Sequence, residues 1–559
     1  MLTARRTFVT VDEAGHIASG VAHHQQSSFA SYRVNPPPAR WLATLPVVLL
    51  FHPPTLTPVA DEPGVRPEGT YGAELATALG ARYPSAVFTA RLFNVLLSAI
   101  GLLLVYAIGA RAIGIRSGLI AAAIYAFDPN IVAHASVLTS DLPATVSVLA
   151  VTWALLRYAK RPTLIAALLL GALVGVAQLT KFSWLVLYPA LLICLGIVAW
   201  RAAAHRRAHL GHALLVVATS FVVLNAGYAF SGTFTRLGDT TFVSRTFTGA
   251  PASARHSSGN RFRGTTLGRL PIPLPRDYVM GVDLQRRDFE GSLRSYLDGA
   301  WHDRGFWFFY LYTLALKTPL GTLALVAVAT WRSASSIHAT RRIRTSRLLL
   351  LVVPLSFFVF ISSQTGFSHH LRYVLPVIPF LALAAGSLGA TMRGRWPRRF
   401  VLAGVAASAL SCVASVPHSL SYFNVVGGGW RHGDEHVIDS NVDWGQDLGD
   451  LGVWYRTHRD RPLRLAYFGG VDPHVVGLEY TLPPSDPEPG RFVLSVNFVR
   501  GMRFAAVDGA SRQVTLAEGE LDYFAAWEPV ERIGSSIRVY EVSRDDANEA
   551  RRRRGLPEL

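Results

Sequence analysis

Two adjacent carboxylates near the start of the chain are the first candidates for chemistry. Asp12 and Glu13 are followed by His16, which lies one helical turn beyond Asp12 if this stretch is helical. The chain then passes through a proline-rich turn, Asn35–Pro38, into an apolar run that begins at Trp41. Two adjacent acids alone are most often a surface feature. Beside a histidine and a turn that leads to the membrane, however, a carboxylate can act as a general base. Both acids are therefore candidate catalytic residues.

A single arginine lies inside the first long apolar run. Arg91, in the sequence Ala-Arg-Leu-Phe, stands a few residues from the start of that run. An ionisable residue within a membrane span is a functional candidate by default. Its guanidinium would bind a lipid phosphate through paired hydrogen bonds. The alternative is an arginine that snorkels to the membrane interface.

Polar residues also collect where two apolar runs turn. His134 and Asp141 follow an Asp128-Pro129 pair, which can break a helix. Both are candidates for binding a substrate, although Asp141 could equally cap the helix that follows it. No spacing of ligand residues here is regular enough to assert a metal site. A metal is therefore not predicted, and a divalent cation stays open as a cofactor.

Two more turns between apolar runs carry cations. Lys181, in Thr-Lys-Phe, is either a phosphate-binding lysine or an interfacial anchor. His370 and Arg372 belong to the cluster Ser368–Tyr373. For this cluster, a binding role and a plain surface role are equally open. All three residues are candidates for contact with a phosphate or a sugar.

Long apolar runs must position these residues. Of the 559 residues, 50% are hydrophobic and only 16% are charged, which is untypical of a soluble protein. About ten runs approach 20 residues, the length that crosses a bilayer as a helix. They lie near residues 85–110, 118–138, 142–159, 163–180, 183–200, 212–230, 306–329, 348–364, 374–391 and 400–417. The sequence therefore predicts a polytopic α-helical membrane protein.

Basic residues fill every second connection between these runs. Arg111 and Arg116 follow the first run, Arg157 and Lys160 follow the third, and Arg201 follows the fifth. The positive-inside rule places such connections in the cytoplasm. This topology accounts for the net charge of +17, and nucleic acid is excluded as a partner. All the candidate residues named above then fall on the outer side, where acids and cations at helix ends suit the handling of a phosphorylated lipid.

The same topology divides the chain into three parts. Residues 1–84 are predicted to form a first extracytoplasmic loop, with a tail at 1–10, the acidic motif and an interfacial helix within 41–51. Residues 85–417 form the transmembrane domain, with a large outer loop near 231–305. Residues 418–559 form a small extracytoplasmic α/β domain. Its candidate helix is 444–456, and its candidate strands are 464–468, 491–499 and 536–542.

The ordered set of motifs resembles the polyprenyl-phosphate-dependent GT-C glycosyltransferases. Within that group it is most similar to family 39, which includes the protein O-mannosyltransferases and the lipid A aminoarabinose transferase. The matching residues are Asp12, Glu13, His16, Asn35–Pro37, Ala90–Phe93, Asp128–Asp141, Leu179–Phe182 and Leu371–Pro376. Leu314–Pro319 and Tyr422–Asp447 are similar to bacterial members whose acceptor is uncharacterised. The resemblance covers nearly the whole chain.

The resemblance implies an inverting transfer of a sugar from a polyprenyl-phosphate donor to a hydroxyl acceptor on the outer face of the membrane. The sugar would be mannose or another hexose or pentose. Asp12 would be the general base, and Glu13 would orient the acceptor or tune Asp12. Arg91 would hold the leaving lipid phosphate, with Lys181 and Arg372 as further candidates. The implied partners are the lipid-linked donor, a protein, lipid or glycan acceptor and membrane lipid, in a bacterial plasma membrane.

Two other functions compete with the transferase. A transporter or flippase for a lipid-linked sugar predicts internal repeats and charge at the bilayer midplane, and the sequence has no clear repeat. A non-catalytic assembly or receptor protein would use the carboxy-terminal domain as a binding module. With an outer start and about ten spans, either the amino terminus crosses the membrane or a helix precedes Met1. We favour the preceding helix.

Overall fold

In the computed structural model of this chain, the described residues are 1–201, 206–251, 258–291, 293–335, 341–365, 370–392 and 394–559. Ser368 and His369 of the predicted histidine cluster lie outside them. In chain order the α-helices are α1 Leu2–Arg6, α2 Val11–Gln26, α3 Pro38–Phe51, α4 Glu68–Leu79, α5 Tyr83–Ala112, α6 Ile115–Ala126, α7 Pro129–Ala135, α8 Asp141–Lys160, α9 Leu164–Gln178, α10 Leu187–Arg201, α11 Arg206–Ala226, α12 Arg245–Thr248, α13 Arg276–Phe289, α14 Phe309–Lys317, α15 Leu320–Ser335, α16 Arg341–Ser362, α17 Ile378–Gly386, α18 Arg395–Ser415, α19 Gly433–His436, α20 Leu448–Tyr455, α21 Val496–Val499 and α22 Arg544–Arg553.

Helices that could cross a membrane dominate the middle of the chain. Among the described residues, seven helical segments are long and apolar enough, and the number rises to nine if each of two bent pairs is one span. The pairs are α6 with α7, bent by 63°, and α14 with α15, bent by 119°. The chain is thus a multi-pass helical membrane protein, as predicted. The apolar helix α9, which corresponds to the predicted run at 163–180, has only 15 residues and is not among these nine. The count of about ten spans therefore stays a prediction.

Small residues let α9 and α11 lie close together. A Cβ atom on Gly171 would come within 2.6 Å of the Val216 carbonyl oxygen, and one on Gly175 within 2.7 Å of the Ser220 carbonyl oxygen. The two glycines are four residues apart and so share one face of α9. This is the small-xxx-small spacing that brings membrane helices into backbone contact.

The amino-terminal segment is folded onto the membrane helices. Buried side chains of α2, α3, α4 and α5 form one apolar cluster. A capping box at Thr10 and Glu13 starts α2, which fixes where the acidic pair lies. The prediction of a tail at residues 1–10 is wrong for residues 2–6. They form α1, in which Thr3 and Ala4 are buried.

The last part of the chain contains the main β-sheet. The strands are β1 Ser295–Leu297, β2 Ala300–His302, β3 Leu463–Ala466, β4 Tyr480–Thr481, β5 Gly490–Ser495, β6 Phe504–Val507, β7 Gln513–Leu516, β8 Glu531–Ile533 and β9 Ile537–Val542. Five of them form a mixed sheet in the order β4-β3-β5-β9-β8. The predicted strands correspond to β3, β5 and β9, except that residues 496–499 of the second one form the helix α21. The predicted helix corresponds to α20, which begins only at Leu448. The short strands β4 and β6 to β8 were not predicted.

Two sets of hydrogen bonds join this α/β part to the rest of the protein. The backbone amides of Phe8 and Val11 donate to the carbonyl oxygens of Gln446 (2.8 Å) and Trp444 (3.0 Å). The buried Lys317 ammonium, at the end of α14, donates to the carbonyl oxygen of Asn441 at 2.5 Å. The two sets hold the segment 441–446 between the start of α2 and the membrane helices.

Candidate active site

A cavity of about 440 Å³ lies where α2, the ends of several membrane helices and the α/β part meet. Five of the eight predicted site residues line it. They are Asp12, Asp141, Lys181, His370 and Arg372. The other three, Glu13, Arg91 and His134, do not. Chain segments far apart in sequence thus supply one set of acids and cations.

Asp12 and Arg372 form a direct ion pair in this cavity. The Arg372 Nη1 donates to Asp12 Oδ2 at 2.5 Å, and it lies 3.8 Å from Asp141 Oδ2. The guanidinium also stacks over the Trp444 ring, 4.3 Å from its centroid. The Asp12 side chain keeps 30% of its surface exposed. It is therefore a carboxylate that is oriented by a cation and still accessible from the cavity.

A second pair lies beside the first. Lys181 Nζ donates to Asp141 Oδ1 at 2.5 Å, and Thr139 Oγ1 donates to Asp141 Oδ2 at 3.1 Å. Ser140 stands at the N-cap position of α8 without a capping side-chain hydrogen bond, and Asp141 is the first residue of the helix. The capping alternative for Asp141 is therefore wrong, because its side chain is used on Lys181. This pair fixes the ammonium at the cavity wall, 5.1 Å from the centroid of the Tyr373 ring.

His16 lines the cavity as a neutral side chain. It is 4% exposed and packs against the Tyr32 ring, with 4.8 Å between ring centroids. Burial, aided by the charge of Arg40, lowers the pKa of His16 to about 3. Arg40 in turn donates to the carbonyl oxygens of Asn35 (2.8 Å) and Pro36 (3.1 Å). The same arginine thus holds the proline-rich turn in place and keeps His16 unprotonated at neutral pH.

The α/β part contributes a further acid, Asp439, to the cavity. Asp439 lies in the left-handed region, with φ of 61°, a conformation that non-glycine residues adopt mostly where the fold enforces it. Its carboxylate is 3.8 Å from His370 Nδ1, which also contacts Ser440 Oγ at 2.8 Å. Burial raises the pKa of Asp439 to about 6. In the sequence, Asp439 stands out only as part of the longer motif Tyr422–Asp447, where it is one of two acids shortly before Trp444.

Other cavity residues also escaped sequence reasoning. Arg66 lies at the rim and pairs with Asp288 of α13 at 2.7 Å. Apolar side chains line another part of the wall, among them Leu185, Phe360 and Ile361. Neither group belongs to a recognisable motif, because rim contacts depend on how distant loops meet. The cavity therefore combines a charged region with an apolar one.

Glu13 and Arg91 form a closed pair away from the cavity. Arg91 donates through Nε and Nη2 to the two Glu13 oxygens at 2.7 and 2.6 Å. Its remaining donors reach the carbonyl oxygens of Ala4, Thr7 and Phe8 at 2.6–2.9 Å. All five N–H groups of a guanidinium are thereby used, and Glu13 is 0% exposed. The expectation that Arg91 holds a lipid phosphate and that Glu13 orients an acceptor is therefore corrected. The pair anchors the amino-terminal segment to α5.

His134, which was predicted to bind a substrate, also lies outside the cavity lining. It is 5% exposed and faces the edge of the Trp444 ring at 6.2 Å. Its Nδ1 has no hydrogen-bond partner among the described residues. The ring packs behind Trp444, on which Arg372 stacks, and does not line the cavity. It supports the cavity wall from the second layer of side chains.

One group of three metal-ligand side chains occurs among the described residues. His418, Asp447 and Asp450 have ligand atoms within 4.8 Å of one another. Asp447 Oδ2, however, already accepts from the backbone amides of Ser535 (2.7 Å) and Ser536 (2.8 Å). Its carboxylate therefore anchors the turn before β9. The group lies outside the cavity that contains Asp12.

Comparison with known proteins gives one family match and several similar structures. Residues 67–224 match the family described as dolichyl-phosphate-mannose-protein mannosyltransferase. No curated protein sequence matches the chain.

Among solved structures, the chain is similar to ArnT from Cupriavidus metallidurans bound to undecaprenyl phosphate. The identity is 15% and the TM-score 0.48, over 91% of this chain and 94% of that chain. The same protein in the apo state has 14% identity and a TM-score of 0.46, over 92% of this chain and 94% of that chain. A third similar structure is the archaeal oligosaccharyltransferase AglB from Archaeoglobus fulgidus in complex with an inhibitory peptide and a dolichol-phosphate. The identity is 10% and the TM-score 0.44, over 92% of this chain and 71% of that chain. Over residues 67–224 the chain is therefore similar to the mannosyltransferases of that family, and this match indicates a glycosyltransferase.

Proposed function

We propose that this protein transfers a sugar from a polyprenyl-phosphate donor to a hydroxyl acceptor, with Asp12 as general base. The observation that carries the proposal is the contact between Asp12 and Arg372, 2.5 Å apart in the cavity. It joins a proton acceptor to a phosphate-binding cation. These are the two groups needed to displace a phosphate from an anomeric carbon.

The chemistry follows from these two groups. Asp12 takes the proton of the acceptor hydroxyl as its oxygen bonds to the anomeric carbon. The bond from that carbon to the phosphate oxygen breaks, and the phosphate leaves on its lipid with the bonding electrons. Attack opposite the leaving group inverts the anomeric configuration. Once protonated, Asp12 no longer neutralises Arg372, so the guanidinium becomes available while negative charge develops on the phosphate.

Lys181 is the second phosphate ligand in this proposal. Asp141 holds its ammonium at the wall by a 2.5 Å contact, and charge-assisted hydrogen bonds of this kind suit phosphate oxygens. The apolar wall at Leu185, Phe360 and Ile361 suits the first isoprene units of the donor lipid. Arg66 and Asp288 at the rim suit the hydroxyl groups of the sugar or the acceptor.

The wider setting belongs to the same proposal. The basic connections between membrane helices favour a cytoplasmic location, which leaves Asp12 and the α/β part outside a bacterial plasma membrane. Residues 1–84, 85–417 and 418–559 are then a first outer loop, a transmembrane domain and an outer domain. The donor sugar is a hexose or pentose, with mannose the first to test. The acceptor is a protein, a lipid or a glycan.

The direct test compares membranes that contain the wild type, Asp12→Asn or Asp303→Asn. Asp303 is a matched control, because its side chain is 90% exposed on an outer loop. Each membrane receives radiolabelled polyprenyl-phosphate-mannose or another polyprenyl-phosphate sugar. We expect label in an acceptor fraction from the wild type and the control alone. Equal transfer by Asp12→Asn would remove Asp12 as the base. Movement of intact donor across the bilayer without transfer would favour the flippase.

A further inference from the structure

A second and larger cavity, of about 620 Å³, lies at the other end of the membrane helices. Its walls come from the ends of α5, α8 and α10 and from the beginnings of α11 and α16. Its lining residues are Arg111, Ala112, Leu156, Ala159, Lys160, Pro162, Val198, Arg201, His209, Thr345, Ser346 and Leu349. The proposed transferase chemistry uses none of them.

The helices place the two cavities on opposite sides of the membrane. Helix α8 begins at Asp141, in the first cavity, and ends at Lys160, in the second. Its 20 residues span about 30 Å at 1.5 Å per residue. Helix α16 repeats the pattern in reverse, with Thr345 in the second cavity and Ile361 in the first. The second cavity therefore opens at the other membrane surface.

Three cations bring positive charge to this cavity. Arg111, Lys160 and Arg201 line it, and the part of its lining that the structure describes contains no carboxylate. The sequence also has no Asp or Glu in the connections on that side, at 111–117, 157–163, 199–212, 331–348 and 391–400. Each cation lies in the last turn of its helix, where the helix dipole favours it. Three cations that face one cavity still repel each other, so an external anion would stabilise them.

The shape of the cavity indicates which anion. Hydroxyl groups of Thr345 and Ser346 lie beside the cations, whereas Leu156, Val198 and Leu349 form an apolar wall. A phosphate group fits the polar region, and acyl chains fit the apolar wall. Basic pockets between membrane helices bind anionic lipid headgroups in this way.

We propose that this cavity binds the phosphate group of an anionic lipid from the leaflet opposite the Asp12 cavity. The site does not depend on the transferase proposal, because it uses other residues and lies about 30 Å away. A free phosphate ion shares the same chemistry with the polar region and makes no use of the apolar wall.

The experiment measures lipid retention by native mass spectrometry after purification of the full chain in detergent. The protein is mixed with phosphatidylglycerol, phosphatidylcholine or inorganic phosphate at equal concentrations. The test variant carries Arg111→Gln, Lys160→Gln and Arg201→Gln. The control carries Arg395→Gln, Arg398→Gln and Arg399→Gln, which remove the same charge from the same side at residues outside the cavity lining.

We expect the wild type and the control to retain phosphatidylglycerol in preference to phosphatidylcholine. The test variant should bind it on the order of a hundredfold more weakly, from the contribution of three cations near an anionic lipid. Equal loss in the control would overturn the site in favour of diffuse surface attraction. Wild-type binding of inorganic phosphate as tight as that of phosphatidylglycerol would overturn the lipid. If the triple variant does not fold, the single variant Lys160→Gln is compared with Arg399→Gln under the same two criteria.

Discussion

Asp12 and Glu13 are consecutive residues of α2, and each forms an ion pair with an arginine. Successive side chains on a helix point about 100° apart, so the two acids face different surroundings. Glu13 meets an arginine with all five donors used, in a place without solvent. Asp12 meets Arg372 at the wall of an open cavity and remains 30% exposed. An ion pair that solvent cannot reach, and whose arginine has no unused N–H donor, serves as a structural anchor. An ion pair that remains accessible can take part in chemistry.

The largest expected effect follows from removing the accessible acid. Asp12→Asn keeps the size of the side chain and removes its basicity, so the transfer rate should fall about 10²–10⁴-fold, the usual contribution of a general base. The unfolding temperature in detergent should change little, because Asp12 is not fully buried. A loss of folded protein comparable with that of a Glu13 variant would break the distinction between the two acids.

The matching change in the closed pair should affect folding first. Glu13→Gln leaves the buried Arg91 guanidinium without its counter-charge, which typically costs about 3–5 kcal/mol. We expect less inserted protein and a lower unfolding temperature, measured by fluorescence-detected size exclusion after heating. The protein that does fold should retain transfer activity. A Glu13→Gln variant that is stable but inactive would show that Glu13 takes part in the transfer reaction.

The second pair of the cavity sharpens the comparison further. Lys181→Gln should raise the KM for the lipid donor about 10–100-fold, the range expected for one charge-assisted hydrogen bond. Asp141→Asn should have part of the same effect, because it releases the ammonium. The double variant should then cost less than the sum of the two single changes. Strict additivity would mean that Asp141 does not act through Lys181.

Asp443, which forms no ion pair with another described residue, gives the smallest effect and a distinctive pH dependence. Burial raises the pKa of Asp443 to about 7, well above its ordinary value of 3.8. The folded state then binds the proton more tightly than the unfolded state. The stability that the protonated carboxyl provides is therefore lost as the pH rises from about 4 through 7. Asp443→Asn should flatten this slope in thermal unfolding between pH 6 and 8, whereas below about pH 6 the raised pKa of Asp439 contributes a slope of its own. A slope that persists between pH 6 and 8 would assign it to another group.

Much of the fold was readable from the sequence, because hydrophobic runs near 20 residues long report directly on membrane helices. All ten predicted runs are helical in the structure. Their bends were not readable, since a bend such as the 119° turn at Pro319 depends on packing around α14 and α15. The strands β3, β5 and β9 were found because they are apolar. The two-residue β4 and the exposed β7 have no such signal.

For the candidate site, the sequence identified the residues better than their roles. Asp12, Asp141, Lys181, His370 and Arg372 meet in one cavity, because each was chosen as a polar group at a helix end on one side. Arg91 satisfied the same criterion and still lies elsewhere. The sequence around Arg91 does not show that Glu13 and the carbonyl groups of residues 4–8 accept all of its hydrogen bonds. Pairing over 78 positions is a property of the folded chain alone.

The backbone bonds from Phe8 and Val11 to Gln446 and Trp444 have a consequence for biogenesis. The ribosome makes residue 8 more than four hundred codons before its partner. At about 5–20 residues per second, the first helices wait in the membrane for tens of seconds before segment 441–446 arrives. During that interval Asp12 lacks the wall formed by Trp444. A nascent chain is therefore inactive until its last quarter has emerged, and premature termination before Trp444 releases a product without a complete cavity.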